Sequence, residues 1–246
     1  MEKEKFLDDI FSKILNQFPE LENIIIYAKE FYIEDKRDLE IIKKEINIFI
    51  EKYVAMEKLI NKEIDDEIKK KTIILIGPMG VGKSSISREL SKQTNLEVIP
   101  LDAEDKLSKY YDNRNHFDNF KEFEFYLMSS VLTNLDESKI IDFGAGHSIY
   151  ENPLMFMEFK KLISQFENVV LLMPSENKEE SLKIVNERIK QRGVDDFKLN
   201  DNKHFIESNC NYEVATIIEY TNGKTIEQIS SEIENKIENK RRNSYE

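Results

Sequence analysis

The sequence predicts an α/β fold, in which a parallel β-sheet lies between layers of helices and follows an all-helical N-terminal extension. A glycine-rich segment at residues 77–84 separates an apolar run from a helical pattern. Beyond it, short β-branched runs alternate with amphipathic helices, which is typical of a parallel sheet covered on both faces. Residues 1–76 contain no glycine. We therefore divide the chain into a helical extension, residues 1–70, and an α/β domain, residues 71–246.

The extension contains three helical patterns. Apolar residues recur at three- and four-residue spacings over residues 3–18 and 20–33, with Pro19 between them. A longer pattern over residues 38–70 is close to a heptad. It predicts either a coiled-coil seam or a helix that packs on its own domain. We see no catalytic motif in residues 1–70, so this part is a candidate surface for a protein partner or for self-association.

The α/β domain opens with an apolar run at residues 71–76, as expected of a buried parallel strand. The next segment, Gly77-Pro78-Met79-Gly80-Val81-Gly82-Lys83-Ser84, fits G-x-x-x-x-G-K-[ST], the phosphate-binding P-loop. A helical pattern follows over residues 85–92. Strand, glycine loop and helix are the context that this motif requires. The sequence therefore predicts a P-loop NTPase three-layer sandwich.

Each residue type in the loop suits phosphate binding. Its glycines let backbone N–H groups approach phosphate oxygens where a side chain would collide. Lys83 supplies a positive charge for the β- and γ-phosphates, and Ser84 supplies a hydroxyl for Mg²⁺. We expect ATP and Mg²⁺ as cofactors. The predicted nucleotide-binding residues are Gly77, Gly80, Val81, Gly82, Lys83, Ser84 and Ser85.

The remaining chain predicts four more strands separated by helices. The strands fall within residues 96–102, 138–143, 168–174 and the end of 212–220. Helical patterns cover residues 103–136, 153–166, 178–192, 204–209, the start of 212–220 and the segment after Thr225, which we expect to cap the final helix. Residues 194–203 are polar, and we expect a mobile segment there that could close as a lid.

Polar residues gather where the strands end. Asp102 ends the second strand, and Asp142 ends the third, just before the turn Gly144-Ala145-Gly146-His147. Arg188 and Arg192 lie on one face of the helix before the polar segment. Because the carboxyl ends of parallel strands share one edge of a sheet, we expect these groups around the ligand.

These motifs resemble those of the shikimate kinase family, among the nucleoside-monophosphate-kinase-like P-loop enzymes. The loop is similar to that family's G-x-M-G-x-G-K-[ST]-[ST], and Phe120-Lys121-Glu122-Phe123-Glu124 is similar to its F-R-x-x-E helix. Leu101-Asp102, Gly144-Ala145-Gly146 and Tyr212-Glu213-Val214-Ala215 resemble its strand end, glycine turn and Y-x-x-x-A helix. The resemblance spans residues 71–240 and implies phosphoryl transfer from ATP to a small-molecule hydroxyl.

The chain departs from that family at its substrate positions. Pro100 replaces an aspartate, Lys121 replaces the arginine of F-R-x-x-E, and Ser208 replaces a second arginine. Ala145 replaces the middle glycine of the turn. Arginine binds carboxylates through two parallel hydrogen bonds, and lysine is a poor geometric substitute. We therefore expect an acceptor other than shikimate.

Each candidate residue has a functional and an ordinary interpretation. The candidate catalytic residues are Lys83, Asp102, Arg188 and Arg192. Asp102 would accept the proton of the acceptor hydroxyl, or cap a helix. Asp142 would hold Mg²⁺ together with Ser84, or simply end its strand. The two arginines would neutralise the transferring phosphoryl group, or remain solvated on the helix surface.

The acceptor is expected to bind next to these groups. The candidate acceptor-binding residues are Asp102, Lys121, Glu124, Gly144, Ala145, Gly146 and His147. The ordinary interpretation of Lys121 and Glu124 is an i,i+3 surface pair, and that of His147 is a structural residue near a turn.

Two functions fit these patterns. One is a kinase that transfers the γ-phosphoryl group of Mg·ATP to a small-molecule hydroxyl. The other is a nucleotide-dependent switch or regulatory ATPase that acts through the extension and a protein partner. The extension favours the second, because a minimal metabolite kinase does not need ~70 extra residues.

Residues 177–180, N-K-E-E, resemble the guanine-reading N-K-x-D but end in glutamate, which favours ATP over GTP.

Composition narrows the partners and the compartment. A net charge of −12 argues against a general nucleic-acid binder. Cys210 is the sole cysteine, which excludes an internal disulfide and a cysteine-based zinc cluster. The charged N-terminus lacks a secretory apolar core, and no apolar run approaches the ~20 residues of a membrane span. We expect a cytoplasmic protein that does not bind membranes.

Overall fold

A computed structural model describes residues 2–17, 22–60, 66–102, 120–193 and 197–243. The helices are α1 (Glu2–Gln17), α2 (Glu22–Glu34), α3 (Leu39–Ile60), α4 (Asp66–Lys71), α5 (Lys83–Thr94), α6 (Phe120–Thr133), α7 (Pro153–Ile163), α8 (Lys178–Gln191), α9 (Phe197–Glu207), α10 (Cys210–Val214) and α11 (Ile226–Asn243). The strands are β1 (Ile73–Ile76), β2 (Glu97–Pro100), β3 (Lys139–Asp142), β4 (Asn168–Met173) and β5 (Ile217–Tyr220).

The chain forms two compact units that alternate along the sequence. The first comprises residues 1–63 and 150–162, and the second comprises residues 64–149 and 163–246. Helix α7 therefore belongs largely to the first unit, although the P-loop precedes it in the chain. The division at residue 70 stays a prediction about how the sequence is organised.

The first unit is built from α1, α2, α3 and α7 around an apolar core. Its buried members are Leu7, Phe11, Ile14, Ile25, Ala28, Tyr32, Ile42, Ile46, Leu154 and Met157. A polar group of three side chains lies beside this core. The Tyr32 hydroxyl donates to the Glu45 carboxylate at 2.8 Å, and the Asn152 side chain donates to the same carboxylate. Burial of Tyr32, reinforced by the Glu45 carboxylate, raises the pKa of its hydroxyl.

The second unit contains a five-stranded parallel sheet in the order β2-β3-β1-β4-β5. Strands β1, β3 and β4 are buried along their whole length, as the apolar runs predict. The predicted α/β fold with a helical N-terminal region is thereby confirmed. In the sheet register, Leu75 of β1 lies opposite Asp142 of β3. The end of β3 therefore lies beside the strand that enters the P-loop.

The structure differs from the sequence prediction at two places. The helix expected from residue 204 begins earlier, at Phe197, because the buried side chains of Asn202, Phe205 and Ile206 anchor a helix whose exposed face is polar. The prediction of a mobile segment over residues 194–203 is therefore wrong from residue 197 onward, and residues 194–196 lie outside the described part. The pattern over residues 38–70 divides into α3 and α4, and residues 61–65 lie outside the described part. The helices predicted within residues 103–119 also lie outside it.

Helix caps account for two sequence features. Thr225 and Gln228 exchange reciprocal hydrogen bonds at the start of α11, at 2.9 and 3.2 Å, as the predicted cap requires. Asn177 caps α8 by accepting the N–H of Glu180 at 3.0 Å. The asparagine of the N-K-E-E segment therefore stabilises the start of α8. None of the described helices is both long and apolar enough to cross a membrane.

We expect Glu219→Gln to lower the free energy of unfolding by about 2–3 kcal/mol. Glu219 is fully buried at β5, and its two oxygens pair with Lys224 and Lys236, each at 2.6 Å. Neutralising the carboxylate leaves two ammonium groups without their shared partner, although both can partly rehydrate. Denaturant unfolding monitored by circular dichroism measures this change. Glu238→Gln, which removes an exposed pair with Arg242 on α11, is the control and should change little.

Candidate active site

The P-loop connects the end of β1 to the start of α5. Gly80 and Gly82 have φ angles of +85° and +106°, in a region that other residues rarely adopt. Helix α5 begins at Lys83, and its N-cap, Gly82, provides no side-chain cap. The first turn of the helix therefore presents its N–H groups and positive dipole end to a bound anion. Val81 is buried, whereas Ser84 is exposed and Ser85 is half-buried.

Lys83 is folded back onto the loop. Its Nζ donates to the carbonyls of Gly77 at 2.8 Å and Pro78 at 3.1 Å. Burial lowers the pKa of the Lys83 ammonium, and the carboxylates of Asp142 and Asp102 act in the opposite direction. A buried cation that is held only by carbonyl oxygens, with carboxylate charge nearby, is of the type that binds phosphate oxygens.

Asp142 lies at the end of β3 and is only 2% exposed. Burial raises the pKa of this carboxyl group. The Lys83 ammonium and hydrogen bonding from the Ser84 and Ser87 hydroxyls lower it. The structure thus brings the two predicted metal-binding side chains, Ser84 and Asp142, together. Hydroxyl and carboxylate oxygens are the hard ligands that Mg²⁺ prefers.

Lys121 and Glu124 project from α6 onto the Gly144–His147 turn. Lys121 Nζ lies 2.7 Å from Glu124 Oε2 and donates to the Gly146 carbonyl at 2.7 Å. Glu124 Oε1 lies so close to Gly146 that an added Cβ would be only 2.6 Å away. The two residues therefore form more than a surface pair, because they also contact the turn. A side chain at position 146 would displace the end of the Glu124 side chain.

Asp102 and His147 complete this side of the site. An added Cβ at Gly144 would lie 3.1 Å from Asp102 Cβ and 2.7 Å from His147 Nδ1. His147 is buried, with its Nδ1 3.9 Å from Glu124 Oε1. Burial lowers the pKa of the imidazole, and Glu124 opposes this shift. Asp102 is exposed after β2, and Ala145 is half-buried within the turn. All seven predicted acceptor-binding residues therefore lie on or beside one turn.

The two arginines of α8 have different surroundings. Arg188 is half-buried, and its Nη1 donates to the Gly80 carbonyl at 3.4 Å, so it contacts the P-loop. Arg192 ends α8 with an exposed side chain. None of the hydrogen bonds and ion pairs among the described residues joins the Arg192 side chain to the loop. The structure thus brings Arg188, but not Arg192, to the nucleotide side of the site.

Two residues at the site are absent from the sequence prediction. Ser87, one turn into α5, lies near enough to Asp142 to lower its pKa, and its hydroxyl donates to the Ser84 carbonyl at 3.2 Å. Asn202 of α9 bonds to the backbone of Met79 in the P-loop. The i,i+3 spacing of Ser84 and Ser87 on one helix face could have indicated the first. A single asparagine in a polar segment carries no comparable signal.

Known proteins share parts of this sequence and fold. Shikimate kinase 1 of Hamiltonella defensa subsp. Acyrthosiphon pisum is 38% identical over 80 residues, 32% of this chain and 46% of that protein. The chain spans less than half the length of the curated relatives that it matches. The solved shikimate kinase of Acinetobacter baumannii, in complex with shikimate, has a TM-score of 0.54 and 17% identity, covering 69% of this chain and 94% of that one.

A gluconokinase from Sinorhizobium meliloti 1021 has a TM-score of 0.51 and 15% identity, covering 72% of this chain and 97% of that one. At these identities the structural likeness concerns the fold. The AAA_18 family, described as an AAA domain, matches residues 73–204, more than half of the chain. The chain therefore belongs to the AAA_18 family of AAA domains.

Proposed function

We propose that this protein is a kinase that transfers the γ-phosphoryl group of Mg·ATP to a hydroxyl group of a small molecule. The observation that supports this most strongly is the juxtaposition of two groups at one edge of the sheet. Lys83, Ser84 and Asp142 provide a cation and hard oxygen ligands for the triphosphate and its metal. Asp102, whose charge acts on the pKa of Lys83, also borders Gly144 in the candidate acceptor turn.

The hydroxyl of Ser84 and the carboxylate of Asp142 fit a magnesium ion. Ser87, which also lies near Asp142, would help to orient that carboxylate. When bound, the ion would neutralise charge on the phosphate oxygens. Lys83 would leave the Gly77 and Pro78 carbonyls and bind the β- and γ-phosphates. The side-chain oxygen of Asn177 accepts the Glu180 N–H as the N-cap of α8. The asparagine of the N-K-E-E segment therefore already has a partner other than a guanine base, which supports ATP rather than GTP.

Asp102 would orient the acceptor hydroxyl and accept its proton as the oxygen bonds to the γ-phosphorus. The bond from that phosphorus to the bridging oxygen breaks, and ADP leaves. Arg188, held at the Gly80 carbonyl, would offer its remaining N–H groups to the transferring group.

The acceptor is proposed to be a compound other than shikimate. The Lys121 ammonium is already engaged by the Glu124 carboxylate and the Gly146 carbonyl, each at 2.7 Å. Among the described acidic and basic side chains that contact this turn, Asp102 and Glu124 outnumber Lys121, so the charge disfavours a carboxylate ligand. Position 208, where the resembled family has an arginine, carries a serine. These features favour a neutral or cationic hydroxyl compound.

ADP formation from Mg·ATP, measured against a panel of hydroxyl compounds, tests the proposal. The panel pairs each carboxylate with a neutral or cationic analogue, such as gluconate with sorbitol and glucosamine, and includes nucleosides and shikimate. We expect ADP and a phosphorylated product with one class of neutral or cationic acceptor and no turnover with shikimate. Failure of calorimetry to detect Mg·ATP binding would contradict the proposal at its first step.

The second candidate is a nucleotide-dependent switch or regulatory ATPase. It is favoured by the alternation of the two units, because residues 150–162 of the first unit follow the Gly144–His147 turn almost directly in the chain. ATP hydrolysis at one rate with and without every acceptor, and altered by a protein partner, would support it over the kinase.

A further inference from the structure

Asn202 is joined to the P-loop by two hydrogen bonds. Its Oδ1 accepts the N–H of Met79 at 2.8 Å, and its Nδ2 donates to the Met79 carbonyl at 3.1 Å. The side chain is only 1% exposed, so both bonds are shielded from water. Nδ2 also lies 3.4 Å from Asn186 Oδ1 on α8. A buried amide thus pairs with the loop backbone as a neighbouring strand would.

The two bonds orient two consecutive peptide groups. Both are trans, so the N–H and C=O of each point in opposite directions. Because Met79 N–H is held by Asn202, the Pro78 carbonyl of the same peptide faces away from Asn202, where it accepts the Lys83 ammonium at 3.1 Å. Because the Met79 carbonyl is held, the Gly80 N–H also faces away from Asn202.

We infer that Asn202 is a positioning residue of the P-loop, which holds the peptides on either side of Met79 in the orientation that nucleotide phosphates require. The inference rests on the proposed nucleotide-binding function. Gly80 follows with a φ of +85°, and glycine tolerates both signs of φ, so it offers little resistance to a peptide flip. Asn202 supplies that resistance from α9.

Calorimetric titration of the full chain with Mg·ATP tests the inference in two variants. Asn202→Ala removes both bonds, and we expect the affinity to fall about tenfold. Asn202→Asp has nearly the same shape and keeps an acceptor for Met79 N–H. It loses the donor and places a negative charge beside the loop, so we expect a loss at least as large.

A direct readout and a matched control separate positioning from general stability. Hydrogen exchange at the Met79 amide should be slow in the wild type and faster in Asn202→Ala. Asn168, also 1% exposed, donates to the Lys70 and Thr72 carbonyls at the opposite end of the sheet. Asn168→Ala should lower the melting temperature and leave the Mg·ATP affinity unchanged.

The two possible failures are distinct. A wild-type protein that does not bind Mg·ATP would overturn the proposed function. If the wild type binds Mg·ATP and both Asn202→Ala and Asn202→Asp bind it as tightly as the wild type does, the role of Asn202 is overturned and the proposed function stays intact. Equal losses of affinity in Asn168→Ala and Asn202→Ala would also overturn it, because the effect would then follow from stability alone.

Discussion

Replacing Lys83 with methionine is expected to reduce phosphoryl transfer by about 10²- to 10³-fold and to remove most of the affinity for Mg·ATP. Lys83 is the buried cation of the P-loop, and its neighbours Gly77 and Pro78 offer only carbonyl oxygens. Without the ammonium, nothing at this position balances the charge of the β- and γ-phosphates. Turnover assays and calorimetric titration with Mg·ATP measure the two effects.

The same substitution should leave the melting temperature of the unliganded protein nearly unchanged, because removing a buried charge offsets the loss of two hydrogen bonds to the Gly77 and Pro78 carbonyls. Burial lowers the pKa of Lys83, which means that the fold disfavours its charged form. Methionine has a similar length and no charge to desolvate. Mg·ATP should therefore raise the melting temperature of the wild type but not that of Lys83→Met. Lys92→Met, near the exposed end of the same helix, is the control and should behave as the wild type. A normal ligand-induced shift in Lys83→Met would contradict the proposed site.

Asp142→Asn is expected to lower turnover by about 100-fold and to weaken its dependence on magnesium. The amide cannot supply the charge that the carboxylate would offer to a magnesium ion held with Ser84. Turnover measured across a magnesium titration checks this expectation. Asp136→Asn, in the exposed turn before β3, provides a control of the same chemistry.

Although Asp142→Asn should lower turnover, it should not lower the melting temperature of the unliganded protein. Burial makes the pKa of Asp142 higher in the folded chain than in the unfolded chain, so ionisation above that folded pKa opposes folding. Asparagine removes this cost, and we expect an unchanged or higher melting temperature without ligand. Wild-type turnover in Asp142→Asn would mean that Asp142 only ends its strand.

The fold followed from local patterns wherever one residue type repeats. The apolar runs at β1 and β4 predicted buried strands, and the alternation of strands with helices predicted a parallel sheet. The first part of helix α9, before residue 204, escaped prediction because its anchors, among them Asn202, are few and its remaining surface is polar. The place of α7 in the first unit also escaped, since an amphipathic pattern reveals that a face is buried but not which residues cover it.

The candidate site divides in the same way. The P-loop carries its chemistry in one continuous motif, so it can be recognised without a structure. Lys121 and Glu124 came from the resemblance, and the structure adds their shared contact with Gly146. Asn202 depends on a contact between distant parts of the chain that no local pattern encodes.

The alternation of the two units has a consequence for synthesis on the ribosome. The N-terminal helices leave the ribosome long before Leu154 and Met157, which complete their apolar core. At about 5–20 residues per second, the roughly 100 intervening residues take about 5–20 seconds to translate. During that interval β1, the P-loop and β3 leave the ribosome. The helices that are made first therefore have an incomplete apolar core until a segment from the middle of the protein has been synthesised.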